Sequence, residues 1–248
     1  MSGRKQLEKK EEIRLNKYLA QAGICSRRDA DKLIESGQVT VNGKIASPGT
    51  KVLPYDKVCF GGKIIGGRQE KAVLAYYKPV GVICSERDKH ADKLLSDVLH
   101  YPVRVTYAGR LDKDSEGLLL MTNDGDLIDA LMRGANRHEK EYVVKLKSEV
   151  TEEFLQKMSE GIYLRELNKK TRPCKVERTG KFTFHIVLTQ GLNRQIRRMC
   201  KELECEIHAL KRVRVANIRL DNLKPGEYRV LKGNELKELY EIAGLEGD

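Results

Sequence analysis

The sequence predicts an α+β protein of two domains, and three observations carry that prediction. Near the start, two short amphipathic helical patterns run into a strand that ends at Asn42-Gly43, the signature of a small αα-β unit. From residue 73 onward strand patterns dominate and helices are few, which predicts a long mixed, mainly antiparallel sheet flanked by helices. Between them lies Gly66-Gly67-Arg68-Gln69-Glu70-Lys71, whose composition reads as a linker. The expected boundaries are a disordered charged tail at 1–12, a first domain at 13–65, a linker at 66–72, a second domain at 73–242 and a tail at 243–248.

Residues 1–12 mix charges of both signs and have little to bury. Leu15, Tyr18, Leu19 and Ala22 fall on one helical face, and Gly23 ends that helix. Ser26 is placed to cap a second helix carrying Leu33 and Ile34, which closes at Gly37. The cations Arg14, Lys17, Arg27, Arg28 and Lys32 belong to these two helices. Val39 and Val41 flank Thr40 in a strand that turns at Asn42-Gly43 into Lys44, and 58–60 with 63–65 read as a final hairpin. Basic helices on a small sheet suit phosphate contacts.

In the second domain 73–77 is a strand ending in the turn Lys78-Pro79-Val80-Gly81, 91–99 suits a short helix and 103–107 a strand. Then comes the stretch in which chemistry is expected, 108–126. It holds five carboxylates, Asp112, Asp114, Glu116, Asp124 and Asp126, around the apolar runs 103–107 and 118–121, so that sheet on both sides holds any carboxylate in the turn between the runs. Asp124 or Asp126 is placed to cap a helix at 127–132. Residues 142–146 read as a strand, Thr151 caps a helix that Gly161 ends, and alternation from 182 to 188 marks another strand.

Ile196, Met199, Cys200 and Leu203 recur at helical spacing and turn inward, which sets Arg194, Arg197 and Arg198 around the first turns, a concentration suited to an anion or a carboxylate. Strands at 206–210, 213–220 and 228–231 follow, with Arg212 just before the second, and Asn234 caps a closing helix through 242.

Composition narrows the function. Lys and Arg total 47 against 36 Asp and Glu, a net charge of +11, so the expected partner is a polyanion. No apolar run is long enough to span a bilayer and the start lacks a signal-peptide core, so a soluble, cytoplasmic protein is expected, with no membrane partner. Six cysteines without a CxxC pair and five scattered histidines give no expected metal site, and the cysteines read as reduced, mostly buried thiols. The GxxxxGK[ST] and GxGxxG patterns of nucleotide-binding loops are absent. No coiled-coil pattern is present, and a monomer is expected.

Two resemblances sharpen this. Arg-Leu-Asn-Lys-Tyr-Leu, Ser-Arg-Arg-Asp-Ala and Val-Thr-Val-Asn-Gly-Lys, within 13–65, resemble the S4 RNA-binding domain, which implies RNA contacts by Arg14, Lys17, Arg27, Arg28, Lys32 and Lys44. Along the whole chain Lys78-Pro79-Val80-Gly81, Gly109-Arg110-Leu111-Asp112, Glu116-Gly117-Leu118-Leu119, Thr122-Asn123-Asp124-Gly125, Lys140-Glu141-Tyr142 and the segment from Asn193 through Arg194, Arg197 and Arg198 to Met199 occur in order. Together they resemble the RsuA-type pseudouridine synthases and are most similar to the RluF branch, which acts on large-subunit (23S) ribosomal RNA.

That resemblance implies that Asp112 is the catalytic aspartate, Tyr142 the aromatic against the target uracil and Arg197 the cation paired with Asp112. Arg110, with Arg194 and Arg198, is implied to hold the RNA, and the other acids of 108–126 match structural or variable positions. The implied reaction isomerises uridine to its C-glycoside with no redox change and no cofactor, on a base turned out of a ribosomal RNA stem-loop. Whether Asp112 attacks sugar or base, or abstracts a ribose proton, stays open. Two alternatives stand beside it: a synthase directed at transfer RNA, and a non-catalytic S4-type RNA-binding or ribosome assembly factor.

Overall fold

In a computed structural model that describes residues 12–66, 69–85 and 93–246, the chain folds as two compact units that meet between Lys71 and Ala72. The expected tail over 1–11, residues 67 and 68 of the linker, the first part of the helix expected at 91–99 and the last two residues lie outside the described residues.

In the first unit α1 (Leu15–Gln21) ends where Gly23 adopts a φ of +77°, and α2 (Arg27–Glu35) starts at Ser26, whose Oγ accepts the Asp29 N–H at 3.2 Å. Asn16 donates to Asp31 at 2.8 Å and ties the helices together. Four strands, β2 (Val39–Val41), β3 (Lys44–Ile45), β5 (Val58–Phe60) and β6 (Lys63–Ile64), form an antiparallel sheet ordered β3-β2-β5-β6. The β2–β3 turn places Asn42 and Gly43 at φ of 52° and 81°, as the Asn-Gly pair requires. A short pair, β1 (Ile13–Arg14) with β4 (Lys51–Val52), has no counterpart among the expected elements; it puts Arg14 on a strand and at the start of α1 rather than inside a helix. Leu15, Leu19, Ala30, Ile34, Val39, Val52 and Val58 form the buried core.

The second unit is a nine-stranded sheet, as the expected α+β class requires. Its strands are β7 (Val73–Lys78), β8 (Thr106–Ala108), β9 (Glu116–Thr122), β10 (Lys140–Leu146), β13 (Lys175–Gly180), β14 (Thr183–Leu188), β15 (Ile207–Val215), β16 (Ile218–Arg219) and β17 (Tyr228–Val230). The order is β13-β14-β10-β15-β9-β7-β17, with β16 on β15 and β8 on β9. A small pair, β11 (Tyr163–Leu164) with β12 (Lys169–Lys170), lies apart. Every described pairing in the sheet is antiparallel except β15 with β9, which is parallel and only two residues long, Lys211 to Glu116 and Arg212 to Gly117.

That junction makes the site. Along one side of β9, β15 covers the first two residues and β8 covers Leu120 to Thr122, so the edge opens between them and the loop 109–115 emerges there. Gly117 is required at the crossing: it has a φ of +107°, and a Cβ on it would lie 2.2 Å from the Arg212 carbonyl oxygen.

Both faces of the central strands are buried, so their sequence runs apolar instead of alternating. Val73, Ala75, Leu118 and Leu120 face α4 (Gly125–Met132) and α7 (Gly233–Ile242), whereas Leu74, Tyr76, Leu119 and Met121 pack with Val82, Cys84 and Leu111 on the other face. On that second face a further cluster joins Val144, Leu146, Phe184 and Ile186 to α5 (Glu152–Glu160) and α6 (Gln195–Glu202).

Several expectations are corrected. The strand before the loop is β8 at Thr106–Ala108, later and shorter than 103–107, because 103 to 105 have no strand partner. The helix near 91–99 is α3 (Leu95–Val98) among the described residues. Asp124, not Asp126, caps α4, accepting the N–H groups of Asp126 and Leu127 at 2.9 and 3.4 Å. The strands expected at 206–210 and 213–220 are one continuous β15, and the turn falls later, at Ala216 with φ of 50°. No side chain caps α7; Lys232 occupies the cap position, and Asn234 lies inside the helix. Strand β13 carries few apolar residues and leaves no periodic signal.

Candidate active site

The loop 109–115 is held from three directions. Gly109 turns it with a φ of +84°, and the Ser115 N–H closes it onto the Asp112 carbonyl at 3.1 Å. From the β7 side the Gly81 N–H donates to the Lys113 carbonyl at 2.7 Å, and the turn bearing Gly81 is itself braced by Lys78. That lysine is fully buried and its Nζ donates to the Pro79 and Val82 carbonyls at 2.8 and 2.9 Å. Burial pushes its pKa down against the pull of Cys84, Asp112 and Asp114. From α6, Arg197 Nη2 donates to the Asp114 carbonyl at 2.8 Å and to Ser115 Oγ at 3.1 Å.

Helix α6 can do this because its apolar residues are spaced for it. Ile196, Met199 and Cys200 are buried, which rolls Arg197 toward the loop, and Arg194 sits at the helix start in a left-handed conformation, φ 50°. The Asp112 carboxylate then lies 3.6 Å from Arg194 Nη1 and 3.9 Å from Arg197 Nε. Asp114 takes Arg194 in a two-bond fork at 3.2 and 2.9 Å, and its Oδ2 is 3.4 Å from Arg197 Nε. Burial works to raise the Asp114 pKa, but the Arg194 hydrogen bonds and the Arg197 charge outweigh it and hold the carboxyl below its ordinary value.

Strand β10 supplies the other wall. Tyr142 lies opposite Arg212 of β15, and a β-bulge at the Glu141/Tyr142 step skips Val213 in the pairing with β10. Glu139 and Glu141 turn to the opposite side and hold Arg214 at 2.9 and 2.8 Å. Lys140 and Tyr142 therefore face the cleft. Its volume is ≈ 430 Å³, enough for one nucleoside, with Leu111, Leu188, Leu192 and Leu210 as apolar wall. Among the described residues its lining holds one carboxylate, Asp112, against Arg110, Lys113, Lys140, Arg194, Arg197 and Arg212.

An aspartate among arginines beside a tyrosine, in a cleft whose other charges are positive, fits chemistry on a nucleic acid, and comparison with known proteins decides which. Residues 72–202 match the family described as RNA pseudouridylate synthase, and 13–58 match the S4 domain. The chain belongs to the RsuA-type RNA pseudouridine synthases.

The synthase is 44% identical, over 93% of its length and 79% of the relative's, to the Dual-specificity RNA pseudouridine synthase RluF of Escherichia coli strain K12. It is 39% identical, over 93% of its length and 96% of the relative's, to the Ribosomal large subunit pseudouridine synthase B of Bacillus subtilis strain 168. A solved structure titled as that of a pseudouridylate synthase superposes with a TM-score of 0.67 at 29% identity, covering 92% of this chain and 99% of that one.

Of the residues expected at the site, Asp112, Tyr142, Arg197, Arg110 and Arg194 all line the synthase's cleft. Arg198 does not; it is drawn back to the Asn193 carbonyl and Oδ1 at 3.0 and 3.1 Å and pairs with Glu166. Arg194 stands nearer to Asp112 than Arg197 does, and Asp114, which the sequence places among structural or variable positions, shares both arginines. Of the S4 cations, Arg14, Arg27, Arg28, Lys32 and Lys44 are exposed and Lys17 is partly buried, all within the first unit.

Two further residues of the cleft, Lys140 and Arg212, are given no role at the site by the sequence, although Lys140 stands in the motif with Tyr142. The signal that could have found the first is the alternation Glu139-Lys140-Glu141-Tyr142, which puts the acids and the lysine on opposite faces of a strand.

The cysteines are all free thiols; Cys84 and Cys200 are buried and the other four partly so. Burial pushes Cys174 up to about 11 and Cys200 up to about 12, which keeps both protonated and inert at neutral pH. Among the described residues no three His, Cys, Asp or Glu side chains gather as metal ligands, and no helix is long and apolar enough to cross a membrane.

Proposed function

We propose that this synthase isomerises specific uridines of large-subunit ribosomal RNA in the cytoplasm, acting as a monomer through Asp112, with no cofactor. The observation that carries this reading is the seating of Asp112 on a braced loop, within 4 Å of two arginines and in the same cleft as Tyr142. A carboxylate placed there is able to act as nucleophile or base. Tyr142 provides a platform for the extruded base, and stacking on such a ring contributes about 1–3 kcal/mol per base. Its hydroxyl is also suited to take the C5 proton in the last step. Exposed Arg110 at the mouth, and the S4 cations Arg14, Lys17, Arg27, Arg28, Lys32 and Lys44, suit the phosphate backbone.

Asp112→Asn should abolish pseudouridine formation on ribosomal RNA while leaving RNA affinity within about threefold, since the amide keeps the shape and loses the charge. Equal modification by the variant and the wild type would overturn the assignment and favour a binding or assembly role. A second RNA substrate is proposed on the strength of the dual specificity that the name of the Escherichia coli relative declares, with transfer RNA the alternative class weighed from the sequence. Mapping pseudouridines in both RNA classes from cells with and without the protein tests it.

A further inference from the structure

We infer that Lys140 and Arg212 form a second cationic pair in the cleft, which grips the carbonyl edge of the extruded uracil and carries its negative charge while the base is detached. The inference rests on the reading above and adds to it the groups that hold the leaving base.

The two side chains share one patch. Arg212 is directly opposite Tyr142 across the β10–β15 ladder, and Lys140 lies two residues before Tyr142 on the same face. Both line the cleft. Among the described residues neither has an acid to neutralise it, because Glu139 and Glu141 are committed to Arg214 on the far side of the strand, and Asp112 is shared by Arg194 and Arg197.

Arg212 is only 2% exposed. Its Nε donates to the Leu118 carbonyl at 2.7 Å, a group left open where β9 has neither β15 nor β8 beside it, and its Nη1 reaches the Arg110 carbonyl at 3.5 Å. Its Nη2 is buried with no partner among the described residues. The Lys140 ammonium makes one long contact, to the His138 carbonyl at 3.5 Å. Burial first, and then the Arg212 charge, push its pKa down, so the ammonium is short of both water and counter-charge. Buried donors without partners are costly, and two like charges side by side are costlier still, unless an acceptor on the substrate completes them.

The chemistry of the base supplies that acceptor. When N1–C1′ breaks heterolytically, the electron pair stays on the base, and the resulting anion spreads its charge over N1, O2 and O4. Formation of C5–C1′ consumes that charge; the C5 proton then leaves and N1 takes one up, so uridine and product have the same atoms. A base lying on Tyr142 turns its edge, not its face, toward side chains flanking the ring, and a carbonyl edge accepts what Lys140 and Arg212 offer. Phosphates are better served by exposed Arg110 at the mouth than by a guanidinium this deeply buried.

The test compares full-length wild type, Lys140→Met, Lys140→Arg, Arg212→Met and Asp112→Asn on in vitro transcribed large-subunit ribosomal RNA. Single-turnover pseudouridine formation and RNA affinity are each read at two salt concentrations. Lys140→Met and Arg212→Met should each slow the single-turnover step by about 100-fold, the loss typical of one donor to a developing anion, with affinity and its salt dependence unchanged. Lys140→Arg should recover most of the rate. A rate for Lys140→Met within about twofold of wild type overturns the inference, as does a loss of affinity that matches the loss of rate and lowers the salt dependence, the mark of a phosphate contact. If Arg212→Met fails to fold, the rate of Lys140→Met alone decides between these outcomes. A wild type that makes no pseudouridine, or an Asp112→Asn that matches it, overturns the underlying reading instead.

Discussion

Asp114 shows how a residue outside the chemistry can shape it. It holds Arg194 by two hydrogen bonds, yet the same arginine lies 3.6 Å from Asp112, so the two carboxylates divide one set of cations. Asp114→Asn should lower the rate by about tenfold, because Arg194 and the loop lose the contact that positions them. Its effect on stability has a definite sign. The folded pKa of Asp114 lies below its ordinary 3.8, so the carboxylate stabilises the fold above that pH, and the contribution fades as pH falls through the lowered value. The side chain is 48% exposed, so screening keeps the contribution to roughly 0.5 kcal/mol. Urea denaturation should therefore separate wild type from Asp114→Asn slightly at pH 7, and the difference should shrink in acid below the ordinary value; a gap that widens in acid would contradict the pairing.

At the scale of elements, the site depends on α6 turning its apolar residues to the core and Arg197 to the loop, and on one face of β10 that carries Lys140 and Tyr142 at the cleft and Val144 and Leu146 in the core. Helix α5 makes a useful contrast, since it packs Phe154 and Met158 into the same core but supplies nothing to the cleft lining. Its start is fixed by Thr151, whose Oγ accepts the Phe154 N–H at 3.1 Å. Thr151→Ala should cost about 1 kcal/mol of stability, the usual loss of a helix cap, with the single-turnover rate unchanged. A fall in rate at constant temperature and full folding would show that α5 couples to the cleft. Much at this scale is legible in sequence: Ser26, Thr151, Gly23 and Asn42-Gly43 mark their turns and caps by local chemistry alone. What failed did so because the local signal was weak or equivocal. Residues 207–216 hold apolar and basic residues with His208, and Asn217 alone marks a turn, so the pattern does not say that Arg212 sits mid-strand in one continuous β15.

For the whole molecule, each unit has its own buried core, Leu15, Leu19 and Val58 in the first and the sheet-face clusters in the second. A fragment of residues 72–248 should fold cooperatively by itself, keep the cleft around Asp112 and bind RNA more weakly. The slope of log affinity against log salt should become shallower too, because the exposed S4 cations release counterions no longer. A fragment that fails to fold would show that the second core is incomplete without the first.

The sequence by itself determined the α+β class and the order of most elements, which follow from local periodicity and turn chemistry, and its ordered motifs carried the family, whose likeness implies the roles proposed for Asp112, Tyr142 and Arg197. Tertiary structure alone decided which charges share the cleft. Arg194 and Asp114 are 80 residues apart, and Arg212 reaches Leu118 across 94. Such pairings arise from how β15 meets β9 for two residues and then leaves its edge open, and a strand register is set by packing between distant segments, to which no local pattern in either segment refers.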